Sequence, residues 1–424
     1  MCQNLVAKAM APIVEALDER GPEEVDEDVS PGDLALGKQP LSLAAHPRRS
    51  GIFAVGLVDG SVELRDGLGS GERPALAQLL HGGEGSARCV CWCGDALVAG
   101  FESGSIAAWD CSDDASSRGK LSWSARRGAA VTAVLPEAFD DEDGGGGGGG
   151  PVLALGDDDG YVALYDARLR GAAQRGAAAE SQPHEDYVSD LACHGGTHLF
   201  SAGTDGRLGV CDPRKGLAAI KVSDPQDDEL LSVSVVKGGK KVVCGTQTGP
   251  LVFWSWGRWG DSTDRVVGHP ESVDVLLKVD EDVLCTGSSD GLLRVARVQP
   301  GLQLLGVLGD HGGFPIEHLD FNADRSLVLS ISHDDVVRFF DARPLADLKA
   351  GDGAGDDSDD SDDGDDDSGD GAKDDSDNED DSSEDSSDDD RAKKRRKGGG
   401  ASTTLAGGSR LSLKTKAESF FDGL

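Results

Sequence analysis

The sequence predicts an all-β fold, a seven-bladed propeller, and three observations carry that reading. The first is a hairpin that recurs seven times, from FAVGLVDGSVELRD at Phe53–Asp66 to LVLSISHDDVVRFFD at Leu327–Asp341. In each copy two apolar runs flank a tight turn, and in six of the seven a Gly supplies the positive φ that such a turn demands. The second is the spacing of the turn positions, Gly60, Gly104, Gly160, Gly206, Gly249, Gly291 and Asp335, which lie 44, 56, 46, 43, 42 and 44 residues apart. The outlying 56 contains Asp140–Asp143 followed by seven glycines, Gly144–Gly150; without those eleven residues it becomes 45. The third is an apolar stretch ahead of each hairpin, able to serve as an inner strand. A repeat of about 40–45 residues with this content is one propeller blade of the WD40 type.

Taken in order, residues 1–32 form an acidic head, with residues 3–19 either a short amphipathic helix or a frayed segment. The head carries no clean apolar export signal, and no run approaches about 18 apolar residues, so no membrane span is expected. Asp33-Leu34-Ala35-Leu36 precedes the first inner strand, Leu41–Ala45. Leu34–Leu36 is expected to pair with the outer side of Val336–Asp341, closing the ring and removing its sheet edges. The other inner strands are expected at Cys89–Cys93, Ala130–Leu135, Val188–Cys193, Leu230–Val236, Val273–Val279 and Ile316–Phe321. Three sets, His184/Ser201/Asp205, His269/Thr286/Asp290 and His311/Ser330/Asp334, match the histidine that ties a WD blade's hairpin together. None has Trp at the strand end, where Cys211, Ala296 and Phe340 stand instead, so the repeats are degenerate. The propeller is assigned residues 33–345 and a disordered tail residues 346–424.

The formal net charge of −37 is unevenly spread. Residues 352–390 hold 22 Asp or Glu against one Lys, a composition that cannot bury enough apolar surface to offset chain entropy. Ser376, Ser382, Ser386 and Ser387 each have an acid three residues on, which suits an acid-directed kinase. The basic run 391–397 follows, and Lys393, Lys394, Arg395, Arg396 and Lys397 read as a nuclear import signal for an import receptor. Its bland alternative is a charge-balancing solubility segment. The C-terminal stretch 411–424 ends in Phe420, Phe421 and Leu424, a short docking motif. The propeller remains acidic without head and tail, which disfavours direct nucleic-acid binding by its surface and favours a basic protein partner.

No catalytic signature is present, and the expectation is a non-enzyme without metal or cofactor. Cys89, Cys91 and Cys93 alternate on one strand face, which is a packing pattern; no second ligand group follows at zinc spacing. Gly144–Gly150 lacks a Lys to pair with phosphate, and Asp157-Asp158-Asp159 lacks the ligand alternation of a calcium loop. A sharper pattern is Asp-x-Arg directly after the hairpin: Asp166 with Arg168, Asp212 with Arg214, and Asp341 with Arg343. It looks like the box by which WD-repeat substrate receptors dock on the adaptor of cullin–RING ubiquitin ligases, through an Arg offered to a partner acid. The other reading, that Asp and Arg cap the strand and pair locally, stays open.

The opening LSLAAHPRRSGIFAVGLVDG, the last blade LDFNADRSLVLSISHDDVVRFFD, the acidic Ser/Asp tail, the KKRRK run and the terminal FFDGL together resemble the WD repeat-containing protein 55 family and its fungal relatives. The resemblance implies a nuclear, chiefly nucleolar scaffold for ribosomal RNA processing and ribosome biogenesis, with pre-ribosomal proteins as partners. The cytoplasm is a further compartment, and a monomer within larger assemblies is the expected state. For plant relatives it implies a tie to the cullin-4 adaptor, which makes a substrate-receptor role the alternative.

Overall fold

The computed structural model describes residues 31–68, 74–80, 85–112, 119–138, 151–166, 176–298 and 303–348, all within one compact unit. These residues form seven four-stranded antiparallel sheets, one per repeat. Blade one runs from its inner strand Pro40–Ala45 to its outer strand Ala77–Leu79, and blade two from Ala87–Cys93 to Lys120–Arg126. Blades three and four run from Val131–Ala138 to Ala179–Ser181 and from Val188–His194 to Ala218–Val222. Blades five and six run from Leu230–Val236 to Asp264–Val266 and from Val273–Lys278 to Gln303–Asp310. Blade seven has Ile316–Phe321, Leu327–Ser332 and Val336–Asp341 as its first three strands. Three outer strands are only three residues long, which leaves little edge for another chain to pair with.

The turn chemistry is as the repeat demands. The six turn glycines, Gly60 to Gly291, have positive φ. Asp335 takes the same place in blade seven at φ 56, a conformation that Asp tolerates better than most side chains. The ring closes through Leu34–Ala35, whose residues lie opposite Val337 and Val336 as the fourth strand of blade seven. The Leu36 amide extends the pairing, donating to the Asp335 carbonyl at 2.9 Å. Leu34 and Leu36 are buried with Leu43, Val55, Val337 and Phe339, so the closing segment belongs to the core between blades seven and one.

Adjacent blades are joined by a bond that recurs at five consecutive junctions. A small side chain near the start of one inner strand donates to the first inner-strand carbonyl of the next blade. The pairs are Ser42 to Ala87, Cys89 to Val131, Thr132 to Val188, Ser189 to Leu230 and Ser232 to Val273, at 3.4, 3.9, 2.6, 2.7 and 3.1 Å. Cys89, Cys91 and Cys93 therefore serve as packing groups between blades two and three, in one cluster with Trp123, Val131 and Tyr165. Burial raises the Cys89 thiol to about 12, which keeps it protonated as a donor. Close approach also explains Gly100, where a Cβ would stand 2.5 Å from Val131 Cγ1. No helix among the described residues is long and apolar enough to cross a membrane.

Candidate protein-interaction surfaces

In each antiparallel blade, the connection entering the inner strand and the turn between the second and third strands lie at one end. The remaining two connections lie at the other. Surface chemistry thus divides between two faces at opposite ends of the blades.

On the first face every entering loop is clamped to its blade's turn, by pairs whose chemistry varies around the ring. Blade four uses the predicted set: His184 Nδ1 lies 3.1 Å from Asp205 and Nε2 lies 2.7 Å from Ser201. Asp205 also accepts from the Glu185 amide at 2.9 Å, which fixes the backbone that presents Asp186 and Tyr187. Blade seven repeats this, with His311 2.9 Å from Asp334 and 2.8 Å from Ser330. The third predicted set does not close. His269 reaches Thr286 at 2.8 Å, but Asp290 pairs instead with Arg294 through contacts of 2.9 and 2.5 Å. Arg294 engages both Asp290 oxygens, which leaves none for the imidazole, whereas Arg338, at the same spacing in blade seven, makes one bond to Asp334 and leaves His311 its own. His269 is left with an unpartnered Nδ1, and burial, then Arg294, lowers its pKa to about 4.

Sequence reading did not reveal the other clamps. They are Lys38 with Asp59, Ser86 with Glu102, Arg127 with Asp157, Asp228 with Thr248, and Ser289 with Glu271. Once fixed, these loops present a crowded acidic mouth. Arg88 pairs with Asp158 at 3.2 Å; Asp158, Asp186 and Glu229 gather about the exposed Tyr187 ring, and Glu102 acts on Asp158 from the neighbouring blade. Burial, then the charges of Asp186 and Asp228, raise the Glu229 carboxyl above its ordinary range. Across the mouth, Glu317 lies 2.6 Å from His333, beside Asp274. Burial pushes the Asp274 carboxyl up to about 7, opposed by the Ser272 hydroxyl and reinforced by Glu317 and Asp290. Such crowding favours a cation brought by a partner.

Asp274 gives a pH-dependent stability test. Its folded pKa lies above its unfolded value, so its share of stability is complete below about pH 4 and is lost as pH rises through 7. The advantage of Asp274→Asn over the parent should therefore grow by roughly 2 kcal/mol between pH 5 and pH 8. Denaturant midpoints at the two pH values measure this, and a difference that does not change with pH would refute it.

The second face carries the Asp-x-Arg boxes. The Asp212 side chain caps a single helical turn, Pro213–Lys215, accepting from the Arg214 amide at 3.1 Å and from its Nε at 3.2 Å. Asp341 likewise accepts from the Arg343 amide at 2.9 Å and from its Nη2 at 2.7 Å, ahead of the short helix Arg343–Asp347 (α1). Both guanidinium groups fold onto their own aspartate and still remain about half exposed, at 53% and 57%. Asp166 ends a strand in blade three. Arg168, the basic run Lys393–Lys397, and Phe420, Phe421 and Leu424 lie outside the described residues.

No protein-family model matches the chain. The chain is 33% identical over 366 residues to the WD repeat-containing protein JIP5 of Malassezia globosa, covering 76% of this chain and 83% of that protein. It is 30% identical over 347 residues to human WD repeat-containing protein 55, covering 80% and 84%. For the Arabidopsis thaliana protein of the same name, the identity is 31% over 312 residues, covering 73% and 82%. Seven closed blades and these three alignments agree: the chain belongs to the WD repeat-containing protein 55 family, with JIP5 as its fungal relative, and its propeller is a protein-interaction scaffold of a generally non-catalytic kind.

Proposed function

We propose that this chain is a nuclear, chiefly nucleolar scaffold for ribosomal RNA processing and ribosome biogenesis, gripping basic pre-ribosomal proteins at its acidic mouth. The observation that carries the reading is the mouth itself: Glu102, Asp158, Asp186 and Glu229 are crowded together on loops held rigid by seven clamps. Proteins that pack against ribosomal RNA are rich in Lys and Arg, the complement of such a surface. The family resemblance supports the ribosome-biogenesis role, and the run Lys393–Lys397 supports import into the nucleus. Phe420, Phe421 and Leu424 serve as a further docking motif. In cells depleted of the protein, unprocessed ribosomal RNA should accumulate. A copy with Lys393–Lys397 replaced by Ser should stay cytoplasmic and fail to restore processing. Normal precursor levels after depletion would exclude the role.

A second reading, a substrate receptor on the adaptor of a cullin-4 ligase, is favoured by the half-exposed Arg214 and Arg343. Under it, Arg214→Ala or Arg343→Ala abolishes adaptor capture while circular dichroism stays unchanged.

A further inference from the structure

On the second face, blades four and five build a patch whose chemistry is opposite to that of the mouth. The patch comes from two tight hairpins and two outer connections. His194 and His198 flank the first hairpin, whose Gly195-Gly196 turn has positive φ at both residues. The second hairpin carries Lys240, and its carbonyl accepts from the Trp256 amide at 2.9 Å. A Cβ on Gly239 would stand 2.1 Å from His194 Nε2, so the histidine ring needs a glycine beneath it.

Trp256 stands at the centre of the patch. Its ring lies 4.4 Å from that of His198 and 5.4 Å from that of His194, while Phe200 and the buried Trp259 pack at 6.0 and 5.3 Å. Despite these four neighbours, Trp256 remains 38% exposed, an unusual cost for the largest apolar side chain. Cations lie on the loops that neighbour it. Arg214 and Lys215 share the single carboxylate of Asp212, and exposed Lys240 adds another cation. His198 feels both Asp212 and Arg214, which places the Asp-x-Arg box of blade four at the edge of the aromatic cluster. A local cationic excess around an exposed indole stands out on a chain of net charge −37.

The surroundings choose between two kinds of anionic partner. The rim holds Asp264, Asp282 and Glu281, each paired with a lysine. With those lysines neutralised, the cationic excess is confined to Arg214, Lys215 and Lys240, too few for a nucleic-acid strand, whose affinity grows with each phosphate it neutralises. A short acidic peptide needs only a few cations beside one apolar contact. We infer that Trp256, His198 and Arg214 centre a docking site for a short acidic segment of a partner protein. One apolar side chain of that segment lies on Trp256, and flanking carboxylates meet Arg214, Lys215 and Lys240. The site rests on the scaffold reading but uses the face opposite the mouth, so the two are separable.

The test is selection of random twelve-residue peptides displayed on phage against the full-length chain, followed by fluorescence anisotropy of the best binder. The enriched sequences should place one aromatic or Leu residue among several Asp or Glu. Trp256→Ala and the pair Lys215→Glu/Lys240→Glu should each weaken the best peptide by at least roughly tenfold. Trp256→Phe should restore part of the loss, which separates contact from misfolding. Lys120→Glu, at an exposed cation on the outer strand of blade two, should leave binding unchanged. The inference is overturned if no acidic sequences are enriched or if Trp256→Ala leaves affinity intact. It is also overturned if twelve-residue oligouridine binds tighter than the peptide at the same residues.

Discussion

A chain lacking residues 1–37 is expected to lose its cooperative unfolding transition and to aggregate. The loss follows from the single closing segment. Without Leu34–Ala35, the strand Val336–Asp341 becomes an open edge, with its outward-facing amides and carbonyls unpaired and Val337 and Phe339 uncovered. Two buried leucines, Leu34 and Leu36, contribute about 1.5–3 kcal/mol each by burial alone. With the lost backbone bonds the total reaches about 5 kcal/mol, comparable to the whole stability of many domains. Leu34→Asp isolates the side-chain share: it keeps the backbone pairing and should cost about 3 kcal/mol. Denaturant unfolding followed by tryptophan fluorescence, with size-exclusion chromatography for aggregation, reads both variants. A truncated chain that elutes as a monomer and unfolds in one transition with an unshifted midpoint would show that the ring does not depend on this closure.

The parts of this molecule that can be read from the sequence are those whose cause is local. A hairpin needs a turn residue that accepts positive φ between two apolar runs, so Gly60 to Gly291 and Asp335 mark the blades directly. The insertion after Asp140 leaves the period intact because strand pairing on either side fixes the register, from Val131 opposite Asp157 to Val152 opposite Asp166. Closure is legible for the same reason: an apolar triplet just before the first blade has only one unpaired strand to meet. The clamps are less legible because they are long-range and chemically interchangeable. A bond that can be made by Arg127 with Asp157, by Asp228 with Thr248 or by His184 with Asp205 has no residue signature. His269 illustrates the converse: its sequence set is complete, yet Arg294, four residues beyond Asp290, takes the carboxylate. The Asp-x-Arg boxes lie between these cases. Spacing alone allowed display or capping, and geometry adds that Arg214 and Arg343 are both held by their own Asp and partly exposed. The Trp256 patch was missed because its parts lie on loops more than sixty residues apart, His194 to Trp256, which only blade packing brings together.

Reversing charge at the mouth should have the largest effect on binding. Asp158→Lys with Glu229→Lys changes the local charge by four without touching a strand, since both residues sit on loop positions beside Tyr187. At separations of about 5–8 Å in a partly solvated site, each replaced carboxylate alters the energy of a bound cation by roughly 0.5–2 kcal/mol. For a Lys- and Arg-rich peptide that spans the mouth, the pair should weaken affinity by about 100- to 1,000-fold. Three further consequences distinguish this from unfolding or a general charge effect. Affinity of the parent should fall as salt rises, and the reversed variant should show almost no such slope. Binding to the parent should strengthen from pH 6 to pH 8, because Asp274, held up to about 7, ionises in that interval and adds a carboxylate to the mouth. Asp261→Lys, an exposed acid on the outer connection of blade five, should leave affinity within roughly twofold. Anisotropy titrations of one labelled peptide against the three proteins decide the matter. If Asp261→Lys weakens binding as much as the mouth variant does, the attraction is a property of net charge, and the clamped loops are not the site.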